Sequence, residues 1–160
     1  MTREKILTIE QAEEQVRSLA RQGRRVVLVF GCFDLLHPGH TRYLAAARKL
    51  GDSLLVAVNS DRSAHALKGK GRPVLPALER AEILAALETV DYVTIFDDPS
   101  PAAPIVRLRP HIVAQASDDE PLGDTGAQPM ETAAVQFVTL PVIPGYSTSA
   151  LIQTAVKNLG

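Results

Sequence analysis

A chain of 160 residues fits a single domain of ordinary size, and its 46% hydrophobic fraction is sufficient for a packed core. The formal net charge of −1 excludes a whole-molecule field that would attract nucleic acid or an anionic membrane, so any anion site must be local. The single cysteine, Cys32, cannot form an intramolecular disulfide, which is typical of a reducing compartment. The longest apolar run, residues 26–30, is too short to span a bilayer. We therefore expect a cytoplasmic protein with no nucleic-acid or membrane partner.

The first third of the chain predicts a helix, a buried strand and a second helix. Residues 8–22 have the amphipathic pattern of a helix, and Thr8 and Gln11 have the spacing of a capping box. Residues 25–30 are continuously apolar and β-branched after Arg25, which indicates a strand buried on both faces. Residues 41–50 are rich in alanine and leucine and end before a glycine, which favours a helix.

Strands and helices continue to alternate through the rest of the chain. The sequence predicts further strands at residues 53–58, 91–96, 111–115 and 135–140. It predicts helices at residues 77–90, 101–108 and 147–159, and polar loops at residues 59–76 and 117–128. This alternation predicts an α/β fold: one doubly wound, Rossmann-like domain with a five-stranded parallel sheet and helices on both faces. We expect a single domain over residues 1–160, with residues 1–23 as a helical extension and 24–160 as the core.

The strongest functional signal is residues 31–40, which read Gly-Cys-Phe-Asp-Leu-Leu-His-Pro-Gly-His and follow the first long strand. Two imidazoles, His37 and His40, would lie one turn apart at a helix N-terminus, where phosphate oxygens bind readily. As donors they would stabilise charge that develops on a phosphate under attack. Gly39 removes a side chain between them, which would let a triphosphate approach the backbone.

Two simpler interpretations of these histidines are a capped helix start and half of a metal site. A metal site would need further ligands, and His65, His111 and Cys32 are not at a ligand-like spacing. We therefore predict no metal ligands in the chain, and no chemistry for these three side chains.

Residues 68–72, Lys-Gly-Lys-Gly-Arg, form a second candidate element that we call the basic loop. Three cations and two glycines in five residues favour a mobile loop that could close over polyphosphate. The alternative is an ordinary solvated loop.

Three further features complete the candidate site. Residues 145–149, Gly-Tyr-Ser-Thr-Ser, would cap a helix and also offer free backbone N–H groups to a triphosphate. Arg80 could bind a phosphate through its guanidinium fork or form a surface ion pair. Asp34 could orient a histidine or cap the turn.

These motifs together give the sequence a specific family resemblance. The chain resembles the cytidylyltransferase-like nucleotidyltransferases, whose signature is an HxGH motif after the first strand, and especially the adenylyltransferase domain of ADP-heptose synthases. The matching residues are 31–43, 47–52, 58–61, 67–69, 72–73, 76, 80, 86–87, 91 and 145–149.

The resemblance implies transfer of a nucleotidyl group from ATP or CTP to a phosphorylated sugar or polyol, with release of pyrophosphate. Magnesium would bind through substrate phosphates, and the protein would be a homodimer. The implied catalytic residues are His37, His40 and Lys68. The implied nucleotide-binding residues are Gly31, Cys32, Phe33, Gly39, Arg72, Gly145, Tyr146, Ser147 and Thr148. The implied substrate-binding residues are Asp34 and Arg80.

Two segments depart from the pattern of the heptose-type domains. Where those domains have Thr-Asn before the first glycine of the motif, this chain has Val29 and Phe30. Where they have Lys-Gly-Gly-Asp-Tyr after the fourth strand, residues 115–119 read Gln-Ala-Ser-Asp-Asp. The residues expected to bind the triphosphate are intact, whereas the acceptor side of the site is altered. The pattern therefore favours a changed acceptor. The alternatives are a glycerol-phosphate-type cytidylyltransferase and a nucleotide-binding module without turnover.

Overall fold

The computed structural model describes residues 2–116, 134–141 and 144–160, which form one parallel sheet covered by helices. Its strands are β1 (Ile6–Leu7), β2 (Val26–Gly31), β3 (Ser53–Asn59), β4 (Tyr92–Phe96), β5 (Ile112–Ala116) and β6 (Gln136–Leu140). Its α-helices are α1 (Ile9–Arg21), α2 (Pro38–Arg48), α3 (Asp61–Lys68), α4 (Ala77–Ala85), α5 (Ala102–Leu108) and α6 (Thr148–Leu159). A 3₁₀ turn, Thr2–Lys5, precedes β1. No helix in these ranges has the length and apolar character needed to cross a membrane.

The order of strands in the sheet is β1-β4-β3-β2-β5-β6, and every pair is parallel. The predicted α/β class and parallel sheet are confirmed, but the predicted count of five strands is wrong. The sixth strand is β1, in which Ile6 pairs with Val93 and Leu7 with Thr94 at the edge of the sheet. Two residues are too few to produce an alternation that sequence reading can detect.

β2 is the central strand that positions the candidate site. It pairs with β3 along its whole length, from Val26 opposite Ser53 to Gly31 opposite Val58. On its other side it pairs with β5. Chain order therefore reverses at β2, and ligands in such sheets bind beyond the carboxyl ends of the strands at this switch point.

The core lies on both faces of the sheet. Val27 and Val29 of β2 face one apolar cluster, which contains side chains of α2 and α4. Val26 and Leu28 face the other, which contains side chains of α1 and α5. Burial of β2 on both faces explains its continuous apolar run, and helices on both faces make the fold doubly wound, as predicted.

Three predicted segments differ from the structure by more than one residue at a boundary. α3 occupies part of the predicted loop at residues 59–76, because a helix that buries only Ser63 and Ala64 lacks an apolar stripe. Its start is fixed by Ser60, whose side chain accepts a hydrogen bond from the N–H of Ser63. α2 begins earlier than predicted, at Pro38, and α4 ends earlier, at Ala85. The predicted loop at residues 117–128 lies outside the described residues.

Candidate active site

The two histidines of the motif stack on each other where β2 passes into α2. His37 is the N-cap residue of α2, with extended backbone, and Pro38 supplies the first helical turn with a fixed φ. His40 follows one turn later, so its ring lies over that of His37, with centroids 3.8 Å apart and planes inclined by 25°. The predicted juxtaposition of the two imidazoles is therefore present in the structure.

One hydrogen bond sets the tautomer of His40. The backbone N–H of His37 donates to Nδ1 of His40 at 3.4 Å. An accepting Nδ1 carries no proton, so the ring proton of the neutral imidazole is on Nε2, which is free to act as a donor.

Burial disfavours the charged form of both imidazoles. Burial, followed by the neighbouring His37, lowers the pKa of His40 to about 4. Burial also lowers the pKa of His37. The pair therefore presents N–H donors, rather than fixed positive charges, until an anion arrives.

A buried nitrogen of His37 marks this turn as a place where a polar partner is missing. Nδ1 of His37 is buried and makes no well-formed hydrogen bond among the described residues, although the His37 side chain faces the N–H of His40 as in a capping box. The whole residue is 9% exposed. Buried polar atoms are normally satisfied, so an orphan at a site often indicates an absent ligand or water. At the start of α2, Pro38 has no N–H and the N–H of His40 donates to the carbonyl oxygen of His37 at 2.9 Å, which leaves the N–H of Gly39 for an anion.

Gly39 is required by packing between His37 and Tyr146. A Cβ at position 39 would lie 2.8 Å from Cε1 of His37 and 2.9 Å from Cβ of Tyr146. The structure thus gives a packing reason for this glycine, and access of a triphosphate to the backbone remains a prediction. The space beside Gly39 is filled by two side chains of the site.

Tyr146 brings the start of α6 to the histidine pair. Its ring lies 6.0 Å from that of His37, with the planes inclined by 13°. Gly145 has φ +87°, a conformation that favours glycine, and Ser147 caps α6 by accepting from the N–H of Ala150. The predicted helix cap is confirmed, and two helix N-termini lie near the same point.

Arg42 is a residue of this region that sequence reasoning missed. Its guanidinium carbon lies 5.5 Å above the ring centroid of Tyr146, a cation–π distance. Its side chain has no carboxylate within ion-pair distance in the described part of the chain. The partner ring is about a hundred positions away in sequence, so no local pattern could have indicated the contact.

The basic loop lies within electrostatic reach of the histidines. Lys68 is the last residue of α3, and its charge contributes to the lowered pKa of His40. Gly69 and Gly71 have φ of +90° and +81°, which requires glycine at both positions. Lys68 and Lys70 are exposed and make no hydrogen bond with the described residues. They are therefore available to an anionic ligand.

Arg72, by contrast, is held by the protein. Its Nε donates to Oδ2 of Asp34 at 3.2 Å, and its Nη1 lies 3.5 Å from Oγ of Ser149. The Asp34 carboxylate also accepts the N–H groups of Val74 and Leu75. The carboxylate thus holds residues 72–75, and no hydrogen bond from it to a histidine or to its own turn is seen in the described residues. Contact of Asp34 with substrate remains a prediction.

Arg80 forms an ion pair with the exposed Asp61, as one interpretation expected, but its own side chain is buried rather than at the surface. It is 1% exposed, and its guanidinium donates to the carbonyl oxygen of Cys32 at 2.6 Å, to that of Leu75 at 2.9 Å and to Oδ1 of Asp61 at 3.0 Å. Cys32 lies in the loop that leads from β2 to His37. Arg80 therefore fixes that loop, and contact with a phosphate remains a prediction.

The structure brings most of the predicted residues to the switch-point edge; of the other two histidines, His65 adjoins the basic loop and His111 lies at the start of β5. His65 is exposed and lies against the carbonyl of Arg72, while His111, at the start of β5, accepts the N–H of Val26. Cys32 is buried, and burial raises the pKa of its thiol. In the described ranges no three His, Cys, Asp or Glu side chains converge as metal ligands.

The chain has a Rossmann-like nucleotidyltransferase fold, in which a doubly wound parallel sheet carries paired imidazoles at its switch point. The family model described as cytidylyltransferase-like matches residues 28–153. The chain belongs to this family of nucleotidyltransferases, and the predicted resemblance is confirmed.

Curated relatives support the same assignment. The chain is 43% identical over 137 residues to the bifunctional protein HldE of Pelobacter propionicus, covering 86% of this chain and 28% of the relative. It is 41% identical over 150 residues to the bifunctional protein HldE of Methylobacillus flagellatus, covering 94% of this chain and 31% of the relative. The chain thus spans about a third or less of the length of these proteins.

Two solved structures share the fold. A lipopolysaccharide core biosynthesis protein from Thermoplasma volcanium has a TM-score of 0.64 at 23% identity, covering 76% of this chain and 98% of that one. The pantoate-beta-alanine ligase of Francisella tularensis has a TM-score of 0.59 at 16% identity, covering 95% of this chain and 76% of that one.

Proposed function

We propose that this chain transfers a nucleotidyl group from a nucleoside triphosphate to the phosphate of a sugar, with AMP from ATP as the group transferred and a heptose-1-phosphate-like sugar as the acceptor. An oxygen of the acceptor phosphate attacks the α-phosphorus. A bond forms between that oxygen and phosphorus, the bond from the α-phosphorus to the bridging oxygen breaks, and pyrophosphate leaves with the electron pair. No proton needs to leave the attacking phosphate dianion.

The observation that carries this proposal is the stacked His37–His40 pair at the start of α2. It combines a buried, unpartnered Nδ1 on His37 with a ring proton placed on Nε2 of His40. Donors that are already oriented stabilise the charge that develops on phosphate oxygens in the transition state without reorganising. In this class of reaction, positioning and electrostatic stabilisation supply most of the catalysis.

Lys68 is the proposed ligand of the leaving pyrophosphate. It lies at the start of the basic loop, within electrostatic reach of His40, and its ammonium group is exposed. A neutral imidazole pair cannot neutralise the charge that builds up on the leaving group. A nearby ammonium supplies that charge, so the two elements have complementary roles.

The described residues fit a magnesium ion carried by the nucleotide better than one held by the protein. They contain no three-ligand cluster, and Asp34, the carboxylate in the motif, already accepts three hydrogen bonds. Magnesium often retains waters and binds through substrate phosphates with few protein ligands. When bound it would neutralise phosphate charge, and the protein groups named above would orient the same phosphates.

The proposed identity of the acceptor rests on the HldE relatives and on the resemblance to heptose-type domains. β5 ends at the switch point with Gln115 and Ala116, which are partly exposed. The altered residues 117–119 lie outside the described residues. A glycerol-phosphate-type acceptor with CTP is the alternative within the same chemistry, and a nucleotide-binding module without turnover is the alternative outside it.

Pyrophosphate release tests these possibilities together. The protein is incubated with Mg²⁺, with ATP or CTP, and with a panel of sugar and polyol phosphates that includes heptose 1-phosphate and glycerol 3-phosphate. We expect release with ATP and a sugar 1-phosphate. Release only with CTP and glycerol 3-phosphate would favour the first alternative. Nucleotide binding without release for any acceptor would favour the binding module.

A further inference from the structure

Asp34 is a buried carboxylate that the proposed reaction does not use. It lies three residues before His37 and is 2% exposed. Its Oδ2 accepts Nε–H of Arg72 at 3.2 Å and the N–H of Val74 at 2.7 Å, and its Oδ1 accepts the N–H of Leu75 at 3.1 Å. All of these donors come from the end of the basic loop and the residues that follow it.

The same residue is also joined to the start of α6. The hydroxyl of Thr148 donates to the backbone oxygen of Asp34 at 2.7 Å. Arg72 closes the connection, since its Nη1 lies 3.5 Å from Oγ of Ser149. Asp34 is therefore the point at which the histidine turn, the basic loop and the start of α6 meet.

The backbone on either side of Asp34 needs such support. Phe33 and Leu35 have φ of +49° and +50°, the left-handed region that residues with a Cβ rarely adopt. Two non-glycine residues in this region persist only where surrounding contacts fix them. The bonds of Asp34 to two other segments, residues 72–75 and the start of α6, supply that constraint directly before His37.

We propose that Asp34 is a positioning residue that fixes the basic loop relative to the histidine pair, and that it does not contact the substrate. Its carboxylate acts through Arg72, Val74 and Leu75, which form the fixed base of the loop. The exposed part of the loop, residues 68–71, carries Lys68 to the leaving group. The consequence for turnover rests on the proposed function, whereas the consequence for the loop does not.

Limited trypsin digestion of the nucleotide-free chain tests the effect on the loop. Trypsin cuts after lysine, so Lys68 and Lys70 report how often the loop opens. We expect Asp34→Asn to accelerate cleavage at these two positions at least about tenfold. The amide NH₂ of asparagine is itself a donor, so it cannot accept the hydrogen bonds that the carboxylate accepted. The matched control is Glu14→Gln, which breaks exposed ion pairs with Arg17 and Arg21 on α1 and should leave the rate at Lys68 and Lys70 unchanged. Unchanged cleavage in Asp34→Asn would overturn the proposal.

Arg72→Gln provides a second variant on the more accessible side of the pair, in case Asp34→Asn does not fold. It should accelerate the same cleavages.

Combining the two changes tests whether Asp34 acts through Arg72: we expect kcat/KM for the nucleotide in the double variant to match the worse single variant within about threefold. Losses that multiply, with trypsin cleavage unchanged, would indicate that Asp34 contacts the substrate and would contradict the proposal. If the wild type releases no pyrophosphate, the proposed function fails while the trypsin result still decides the role of Asp34.

Discussion

Gly39 and Tyr146 are far apart in sequence, yet a Cβ on the first would lie 2.9 Å from the Cβ of the second. The same added carbon would lie 2.8 Å from the ring of His37. The glycine of the motif thus allows the start of α6 to pack against the histidine pair. Two of the motifs seen in the sequence are parts of a single packed unit.

Gly39→Ala tests this packing. Alanine in a helix normally stabilises a protein by up to about 1 kcal/mol relative to glycine, so the sign of the effect is informative. We expect a loss of about 1–3 kcal/mol from overpacking, measured by urea unfolding. A stabilised variant with wild-type turnover would mean that position 39 has room for a side chain.

The histidine pair should make stability depend on pH. Because the pKa of His40 is lowered to about 4 from the ordinary 6.5, the unfolded chain binds more protons between these values. Stability from this group is complete above about pH 6.5 and is lost as the pH falls towards 4.

The comparison of wild type with His40→Asn isolates that contribution. We expect the wild type to lose on the order of 2 kcal/mol more than the variant between pH 7 and pH 4.5, after allowance for the partial exposure of His40. Urea unfolding at several pH values measures the difference. Parallel pH profiles would show that the imidazole is not held neutral by the fold.

Lys68 and Lys70 provide a matched pair in the basic loop. We expect Lys68→Met to lower kcat for pyrophosphate release by roughly 10²-fold, because the leaving group loses its ammonium partner. Lys70→Met should lower kcat by less than about threefold, since only a diffuse charge is removed. Equal effects of the two substitutions would mean that the loop supplies charge without a specific contact.

We expect Arg80 to contribute to the free energy of unfolding, whether or not it contacts a phosphate of the substrate. Arg80→Met leaves the carbonyl oxygens of Cys32 and Leu75 without their donors, and we expect a loss of about 3–4 kcal/mol in urea unfolding. The control is Arg62→Met, which removes an exposed ion pair and should cost less than about 1 kcal/mol. A near-neutral Arg80→Met would contradict the role in fixing the loop.

Sequence reasoning succeeds where the determinants of structure are local. The capping box of Thr8 and Gln11 starts α1 as predicted, and the apolar run after Arg25 forms the buried central strand. Two histidines three positions apart at a helix start were expected to lie one turn apart, and this proximity is present, whereas the stacking of their rings was not predicted.

The features that the sequence did not reveal depend on contacts between distant segments or on weak local signals. β1 exists because Ile6 and Leu7 find an open edge of β4, and α3 packs with only two buried residues. Arg80 carries a charge and was expected at the surface or on a phosphate, whereas three oxygens from other segments allow it to be buried. Such arrangements are properties of the folded chain rather than of any window of sequence.

Proton–nitrogen correlation NMR of the imidazole rings, recorded during titration with ATP and Mg²⁺, is the most direct test of the central claim. We expect the Nε2–H signal of His40 and the ring nitrogens of His37 to shift as the nucleotide saturates the protein, and the shifts to disappear in a titration with adenosine, which lacks phosphates. Saturable ATP binding that shifts backbone amides elsewhere and leaves both imidazoles unchanged would show that these histidines do not bind the triphosphate.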